Sequence, residues 1–347
     1  MKKFSLVLSI LILIITSSIV YIRSASNTPH GYLDWRLAIL MKLPILSDGV
    51  YNKKLSPKEN RARLDQKVPM MKSSLNKIKA VKNFTIKGKG GSIPLRLYTP
   101  LARKTQYPVI LFFHGGGFTI GNLDSHDHIC RGLATKSQSV VLAVDYRLAP
   151  ENPFPAAIED AWTAAQWTYN NMKQINGNKN QLFVAGDSAG GNISAVTALR
   201  ARDRGTVKFK GQILIYAAVD PGNFDTPTME KYSKGYLLTM RDMKIFTNFY
   251  LPKKKDQRHK DAAPLRVRNL SRIAPAFIIT AEFDPLRWSN ERYAKRLKKA
   301  GVPVKITQYN HVVHGYMNFL GIVPAAEKTI EDISLFIDNT IKNKTRE

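Results

Sequence analysis

Cysteine is almost absent from this chain of 347 residues, with Cys130 standing alone. A single thiol excludes an intrachain disulfide framework and any zinc site built on several cysteines. Acidic residues are scarce too, 26 against 53 lysines and arginines, for a formal charge of +27. Internal repeats and low-complexity tracts are missing, which excludes solenoid and fibrous architectures. Hydrophobic residues make up 44% of the chain, too many for a disordered polymer. At roughly 100–200 residues per domain, the length allows two domains or one large one. A packed, disulfide-free fold remains.

The positive charge is spread along the chain, with one denser run from Lys253 to Arg272. No aromatic residues interleave that run in a way that would stack bases, and no DNA- or RNA-binding motif is present. Nucleic acid is therefore not an expected partner. The plain reading is a solvated basic face; the sharper one is attraction to an anionic membrane leaflet. The N-terminus keeps the second reading open. Lys2 and Lys3 precede an uncharged stretch from Phe4 to Ile22, and Arg23 closes it. This is the pattern of a secretory signal, with Ser24-Ala25-Ser26 supplying small residues for cleavage. Its length approaches the roughly 20 residues that span a bilayer, so an uncleaved anchor fits as well. No cysteine follows the apolar run, which excludes a lipid-modified signal. Residues 1–26 are thus expected to be a signal peptide or signal anchor. The protein is expected to be exported (periplasmic or secreted) or membrane-anchored.

Residues 27–79 mix apolar and basic side chains without strand alternation. Within them Ser56-Pro57-Lys58-Glu59 predicts a helix start, with Ser as N-cap, Pro at the first helical position and Glu three residues after the cap. Pro69 is expected to end that helix. Val81–Ile86 and Ile93–Tyr98, joined by Gly88-Lys89-Gly90-Gly91, read as a β-hairpin. Further on, Val109–Phe113, Val140–Val144, Leu182–Ala185, Gln212–Tyr216, Phe277–Thr280 and Val304–Tyr309 are short β-rich runs. Helical patterns such as Pro155–Met172, Ala189–Arg202, Ser289–Ala300 and Ala325–Ile341 lie between them. Buried strands alternating with helices predict an α/β fold with a mostly parallel central sheet flanked by helices. The gap at about 220–272 is too long for a simple connection and reads as an inserted helical element. With residues 27–79 it is expected to form a lid over the sheet's C-terminal edge.

Two glycine-rich motifs carry the chemistry. Gly186-Asp187-Ser188-Ala189-Gly190-Gly191 follows a strand and opens a helix. A G-x-S-x-G in that setting is a nucleophile elbow, which exposes Ser188 Oγ beside a helix N-terminus where negative charge is favoured. His114-Gly115-Gly116-Gly117-Phe118 follows the strand Val109–Phe113 and matches an oxyanion loop, completed by the N–H of Ala189. A dinucleotide fingerprint fails here, because the sixth position counted from Gly115 is Ile120. His114 itself reads as structural. An attacking serine needs a base, and the base needs an acid to orient it. At the ends of the last two strands, Glu282 and Asp284 are candidate acids and His311 and His314 candidate bases, with Asp220 a weaker acid. Cys130 reads as a small core residue.

These motifs, together with Asp145-Tyr146-Arg147-Leu148-Ala149-Pro150-Glu151, Phe154-Pro155-Ala156-Ala157, Asp284–Arg287 and His314-Gly315, resemble the hormone-sensitive-lipase-like family of α/β-hydrolase esterases, which includes arylacetamide deacetylase-like enzymes. The resemblance covers roughly residues 80–340, so 80–347 is the expected α/β-hydrolase domain with the insertion at about 220–272. It implies Ser188 as nucleophile, His314 as base and Asp284 as acid. It also implies Gly116, Gly117 and Ala189 as oxyanion-hole donors, and neither metal nor cofactor. His314 is preferred over His311 because the family places its histidine directly before glycine and an aromatic. Asp145–Glu151 takes no catalytic role. Two departures stand out: Trp288, where an acidic residue often follows the D-P-L-R run, and Tyr316 in place of the commoner Phe. The implied function is a serine carboxylesterase hydrolysing small acyl esters through an acyl-enzyme. Alternatives are an amide or acetyl-group hydrolase with the same triad, or a non-catalytic ligand-binding member of the fold.

Overall fold

The apolar runs are long enough to be buried on both faces, and alternate residues divide between two cores. In β5 (Tyr107–Phe113), Val109, Leu111 and Phe113 point into one core, while Ile110 and Phe112 point into the other. Strand β6 (Val140–Val144) divides in the same way. Near-continuous hydrophobic strands of this kind belong in a parallel sheet covered on both sides. The computed structural model describes residues 16–43, 49–66 and 77–342. Its main sheet has eight strands in the order β10-β9-β8-β7-β5-β6-β4-β3. The others are β3 (Ala80–Gly88), β4 (Gly91–Thr99), β7 (Gly177–Asp187), β8 (Gly211–Ile215), β9 (Ala276–Phe283) and β10 (Val304–Val313). The hairpin β3–β4 pairs antiparallel and lies at one edge, with β4 antiparallel to β6; the remaining pairs are parallel. A two-residue hairpin, β1 (Asn27–Thr28) with β2 (Gly31–Tyr32), precedes the sheet.

Helices cover the sheet. One face carries α4 (Ala156–Asn170), α5 (Ala189–Arg204) and α8 (Arg287–Lys299), and the other α3 (Asp127–Ser137) and α9 (Pro324–Lys342). Cys130 lies on α3, fully buried in the second core, where burial pushes its thiol well up. Before the sheet come α1 (Trp35–Leu40) and α2 (Pro57–Asp65). Helix α2 carries the expected capping box, with Ser56 and Glu59 bonding reciprocally and Pro57 at its start. It ends at Asp65, and Pro69 lies outside the described residues.

Two segments meet above the C-terminal ends of the strands. Residues 49–66 supply Tyr51, Val50 and Leu64. The stretch between β8 and β9 supplies Met229 from α6 (Pro227–Tyr232) and Met243 and Phe246 from α7 (Met240–Tyr250). Arg61 ties α2 to the sheet loops: Nε donates to Thr119 O, Nη2 to Ala149 O, and the guanidinium forks onto Glu151. Residues 33–38 go elsewhere, burying Leu33, Leu37 and Ala38 in the core beside α3 and α9. The basic run is partly paired, through Arg266 with Asp220 and Lys260 with Asp203. Residues 16–26 are helical, and the preceding part of the Phe4–Ile22 stretch lies outside the described residues. Among the described residues no helix is long and apolar enough to cross a membrane.

Candidate active site

Register places the chemistry. Phe113 of β5 pairs with Gly186 of β7, so the glycines after β5 lie alongside Ser188. Val313 of β10 pairs with Phe283 of β9, which sets the next residues, His314 and Asp284, side by side. That pairing depends on an irregularity. Tyr309 pairs with Ala281 and Val313 with Phe283, so β10 spends four residues where β9 spends two. The extra residues form a bulge, and bulges re-aim side chains at strand ends. His311 sits within it at φ 64°, its Nδ1 against Tyr32 O at 2.7 Å and its backbone N–H on Glu282. The bulge turns His311 outward and brings His314 inward.

The three implied triad residues converge. His314 Nδ1 lies 2.9 Å from Asp284 Oδ2, and His314 Nε2 lies 2.8 Å from Ser188 Oγ. A carboxylate only accepts, so Nδ1 carries the proton and the Nε2 lone pair faces the serine hydroxyl. Asp284 is fully buried, and its other oxygen accepts the Leu286 N–H at 2.7 Å. Ser188 adopts φ 53° and ψ −115°, a strained conformation for a residue with a Cβ, at the sharp turn from β7 into α5. Glu282 stays with His311, and Asp220 is held by Arg266 Nε at 2.7 Å, so neither reaches the serine.

The N–H groups implied as oxyanion donors are aimed through the carbonyls of their own peptide units. In a trans peptide the C=O and the following N–H point in opposite directions, so holding one aims the other. Gly115 O accepts from His114 Nδ1 at 2.8 Å, which aims Gly116 N–H. Gly116 O accepts from the N–H groups of Thr119 and Ile120 at 3.0 and 2.9 Å, which aims Gly117 N–H. Ser188 O accepts from Asn192 and Ala218 at 3.1 and 3.0 Å, which aims Ala189 N–H. The Gly116 and Gly117 amides are left without an acceptor among the described residues, and Ala189 is the first residue of α5, where helix N–H groups are free. All three residues line one cleft with Ser188 and His314. The loop rests on buried partners. His114 stacks on Tyr146, whose hydroxyl donates to His114 O at 2.7 Å. Burial, with His126 adding to it, drives the His114 pKa down to about 3, so its imidazole is neutral. Thus the segment Asp145–Glu151 supports the loop from behind, and His114 orients Gly116.

The cleft, about 150 Å³, has a mainly apolar lining that includes Val50, Leu64, Met229, Leu238, Met243 and Phe246. Both departures from the family pattern find local partners. Thr228 Oγ1, on α6, accepts the Trp288 N–H at 3.3 Å and donates to Pro285 O at 2.8 Å, capping the start of α8. The added hydroxyl of Tyr316 meets Thr329 Oγ1 at 2.5 Å. Two residues around the site escaped sequence reading, Arg61 and His126, while Tyr146 stood in the motif Asp145–Glu151 without a role of its own. His126 stands in no motif, and only the fold brings it beneath Gly115.

A family model described as the alpha/beta hydrolase fold matches residues 110–318. Esterase LipI of Mycobacterium tuberculosis is 40% identical over 251 residues, spanning 71% of this chain and 78% of that protein. The solved structure of an esterase from Pyrobaculum calidifontis is 38% identical and superposes with a TM-score of 0.84, covering 89% of this chain and 99% of the other. The gibberellin receptor GID1A of Arabidopsis thaliana is 36% identical over 217 residues, 60% of this chain and 62% of its own. With the strand order, the elbow and these relatives in agreement, the chain belongs to the hormone-sensitive-lipase-like family of α/β-hydrolase esterases.

Proposed function

We infer that this protein is a serine carboxylesterase that hydrolyses small acyl esters through an acyl-enzyme. The observation that carries the reading is the unbroken chain from Asp284 through His314 to Ser188 Oγ, at 2.9 and 2.8 Å, beside the backbone N–H groups of Gly116, Gly117 and Ala189. Ser188 Oγ attacks the ester carbonyl carbon while His314 Nε2 takes its proton. The carbonyl oxygen becomes an oxyanion and settles among the N–H groups of Gly116, Gly117 and Ala189, where one such donor is typically worth about 10²–10³ in rate. Asp284 holds the imidazole tautomer and stabilises the imidazolium. Collapse breaks the bond to the alcohol oxygen, which leaves with the proton from His314. Water then attacks the acyl-enzyme, giving a proton to His314, and Ser188 recovers it as the carboxylic acid departs. The segments 49–66 and 220–272 act as a lid, and their small apolar wall favours short acyl groups. A hydrolysis series of p-nitrophenyl esters from acetate to palmitate tests this: activity should peak at short chains, and a peak at long chains would overturn it. Amide or acetyl-group hydrolysis would use the same atoms with an amine leaving. A binding role is the second reading, because one relative is named a receptor; turnover of any ester dismisses it.

We also propose export with retention at a membrane surface. Lys2, Lys3 and the apolar stretch to Ile22 support this, as do the exposed Ile19, Val20 and Tyr21. Mass spectrometry of the N-terminus in fractionated cells tests it. An intact chain confined to the cytosol would overturn it.

A further inference from the structure

The mechanism above uses one buried histidine–aspartate pair and leaves a second unexplained. His126 and Asp187 are 5% and 2% exposed, and both border the cleft. Asp187 immediately precedes the nucleophile in the chain, yet its carboxylate reaches across to the neighbouring loop. Asp187 Oδ1 accepts the Gly115 N–H at 2.8 Å. His126 Nε2 lies 3.3 Å from the same oxygen and itself accepts the Gly115 N–H at 3.2 Å. The fit is close, for a Cβ on Gly115 would stand 2.4 Å from Asp187 Oδ2. On the imidazole's other side Nδ1 lies 2.9 Å from Ser125 Oγ, which is itself bonded to both backbone groups of Asn122.

A buried carboxylate beside a developing oxyanion poses two difficulties. Unpaired, it costs desolvation energy and repels the negative charge the site must stabilise. Free to rotate, it would release Gly115 and with it the base of the loop. The Gly115 N–H and the His126 ring, which flank Oδ1 at 2.8 and 3.3 Å, answer both by pairing the carboxylate and fixing its orientation. Although burial opposes ionisation, His126 and His114 outweigh it and hold the Asp187 carboxyl below the usual range.

We propose that His126 is a positioning residue for ester hydrolysis. Together with Asp187 it clamps the Gly115 amide to the nucleophile elbow, and so sets the register between Ser188 Oγ and the donors of Gly116 and Gly117.

Two substitutions separate positioning from bulk. In His126→Gln the side-chain amide reaches the place of Nε2; in His126→Asn it reaches only that of Nδ1. Both are assayed on a short-chain p-nitrophenyl ester and with a trifluoromethyl ketone, which adds to the serine as a tetrahedral hemiketal. His126→Gln should keep kcat near wild type. His126→Asn should lose about 10- to 100-fold in kcat, up to the value of one oxyanion donor. Its affinity for the ketone should fall by the same factor while KM hardly moves, because only transition-state binding is affected. Equal kcat values for the two variants would overturn the proposal, as would a loss of kcat without loss of ketone affinity. Should both variants fail to fold, Ser125→Ala leaves the ring in place and frees Nδ1. Then kcat and ketone affinity should fall together, and unchanged values of both would overturn the proposal. The inference rests on the esterase reading: a wild type inert toward every ester defeats that reading, whereas an active wild type with indifferent variants defeats this one alone.

Discussion

On the sheet side of the cleft, each group proposed to meet the reacting atoms is held by hydrogen bonds of fixed direction. His114 holds the Gly115 carbonyl, the turn after Gly116 holds the next one, and Asp284 holds the His314 ring. On the opposite side the wall is Val50, Leu64, Met229, Met243 and Phe246, held by packing and by the Arg61 contacts to Thr119, Ala149 and Glu151. Hydrogen bonds constrain angles, and apolar contacts constrain volume. The two regions should therefore fail differently: damage to the first removes rate, and damage to the second changes which substrate fits.

The largest effect should come from Asp284→Asn, which keeps the shape of the triad but disturbs the imidazole tautomer. A loss of about 10⁴ in kcat is expected, while His311→Ala, outside the triad on the bulge, should leave kcat unchanged; steady-state kinetics of both variants checks the pair. Next is Gly117→Ala. Gly117 has φ +60°, and an added Cβ would stand 2.3 Å from the Phe246 ring, so loop and wall cannot both keep their places. A loss of about 10²-fold in kcat is expected, at the scale of one misaimed donor. Phe246→Ala attacks the wall alone. It should shift the kcat/KM ratio of hexanoate over acetate upward by about tenfold, since a methylene in a fitted pocket is worth 1–3 kcal/mol, and an unchanged ratio would place the acyl group elsewhere.

The smallest effect concerns pH. Burial lowers the pKa of His114 to about 3 and that of His128 to about 4, so both stay neutral in the fold while they charge in the unfolded chain below about 6.5. The unfolded state then binds more protons, and stability falls as pH drops below about 6.5, by up to about 1.4 kcal/mol per pH unit for each imidazole. Asp145, which burial raises to about 6, acts in the opposite sense between its ordinary range and that value, and offsets part of the loss. Thermal unfolding between pH 7 and pH 4 reads the balance: the midpoint should decline toward acid, less steeply than two imidazoles alone would give.

Much of the catalytic floor was legible because it is written in short, local patterns. The run Val140–Val144 forms a strand with those limits, the Ser56 capping box starts α2, and the elbow follows its strand directly. The choice between His311 and His314 was not legible from local pattern alone. It depends on a two-residue bulge in β10, and nothing between Tyr309 and Val313 announces one. Contacts far apart in sequence were hidden for the same reason. Arg61 meets Glu151 across 90 residues, and Gly115 meets Asp187 across 72, through geometry that only the assembled sheet supplies. The segment 27–79 has no periodicity to show that 33–38 joins one sheet face while 49–66 borders the cleft.

The central claim is a serine made nucleophilic by its neighbours, and a fluorophosphonate probe reads it most directly. Peptide mapping after labelling should find one adduct per chain, on Ser188, lost in His314→Ala and retained in His311→Ala. An unlabelled folded protein, or an adduct on another residue with Ser188 untouched, would contradict the account.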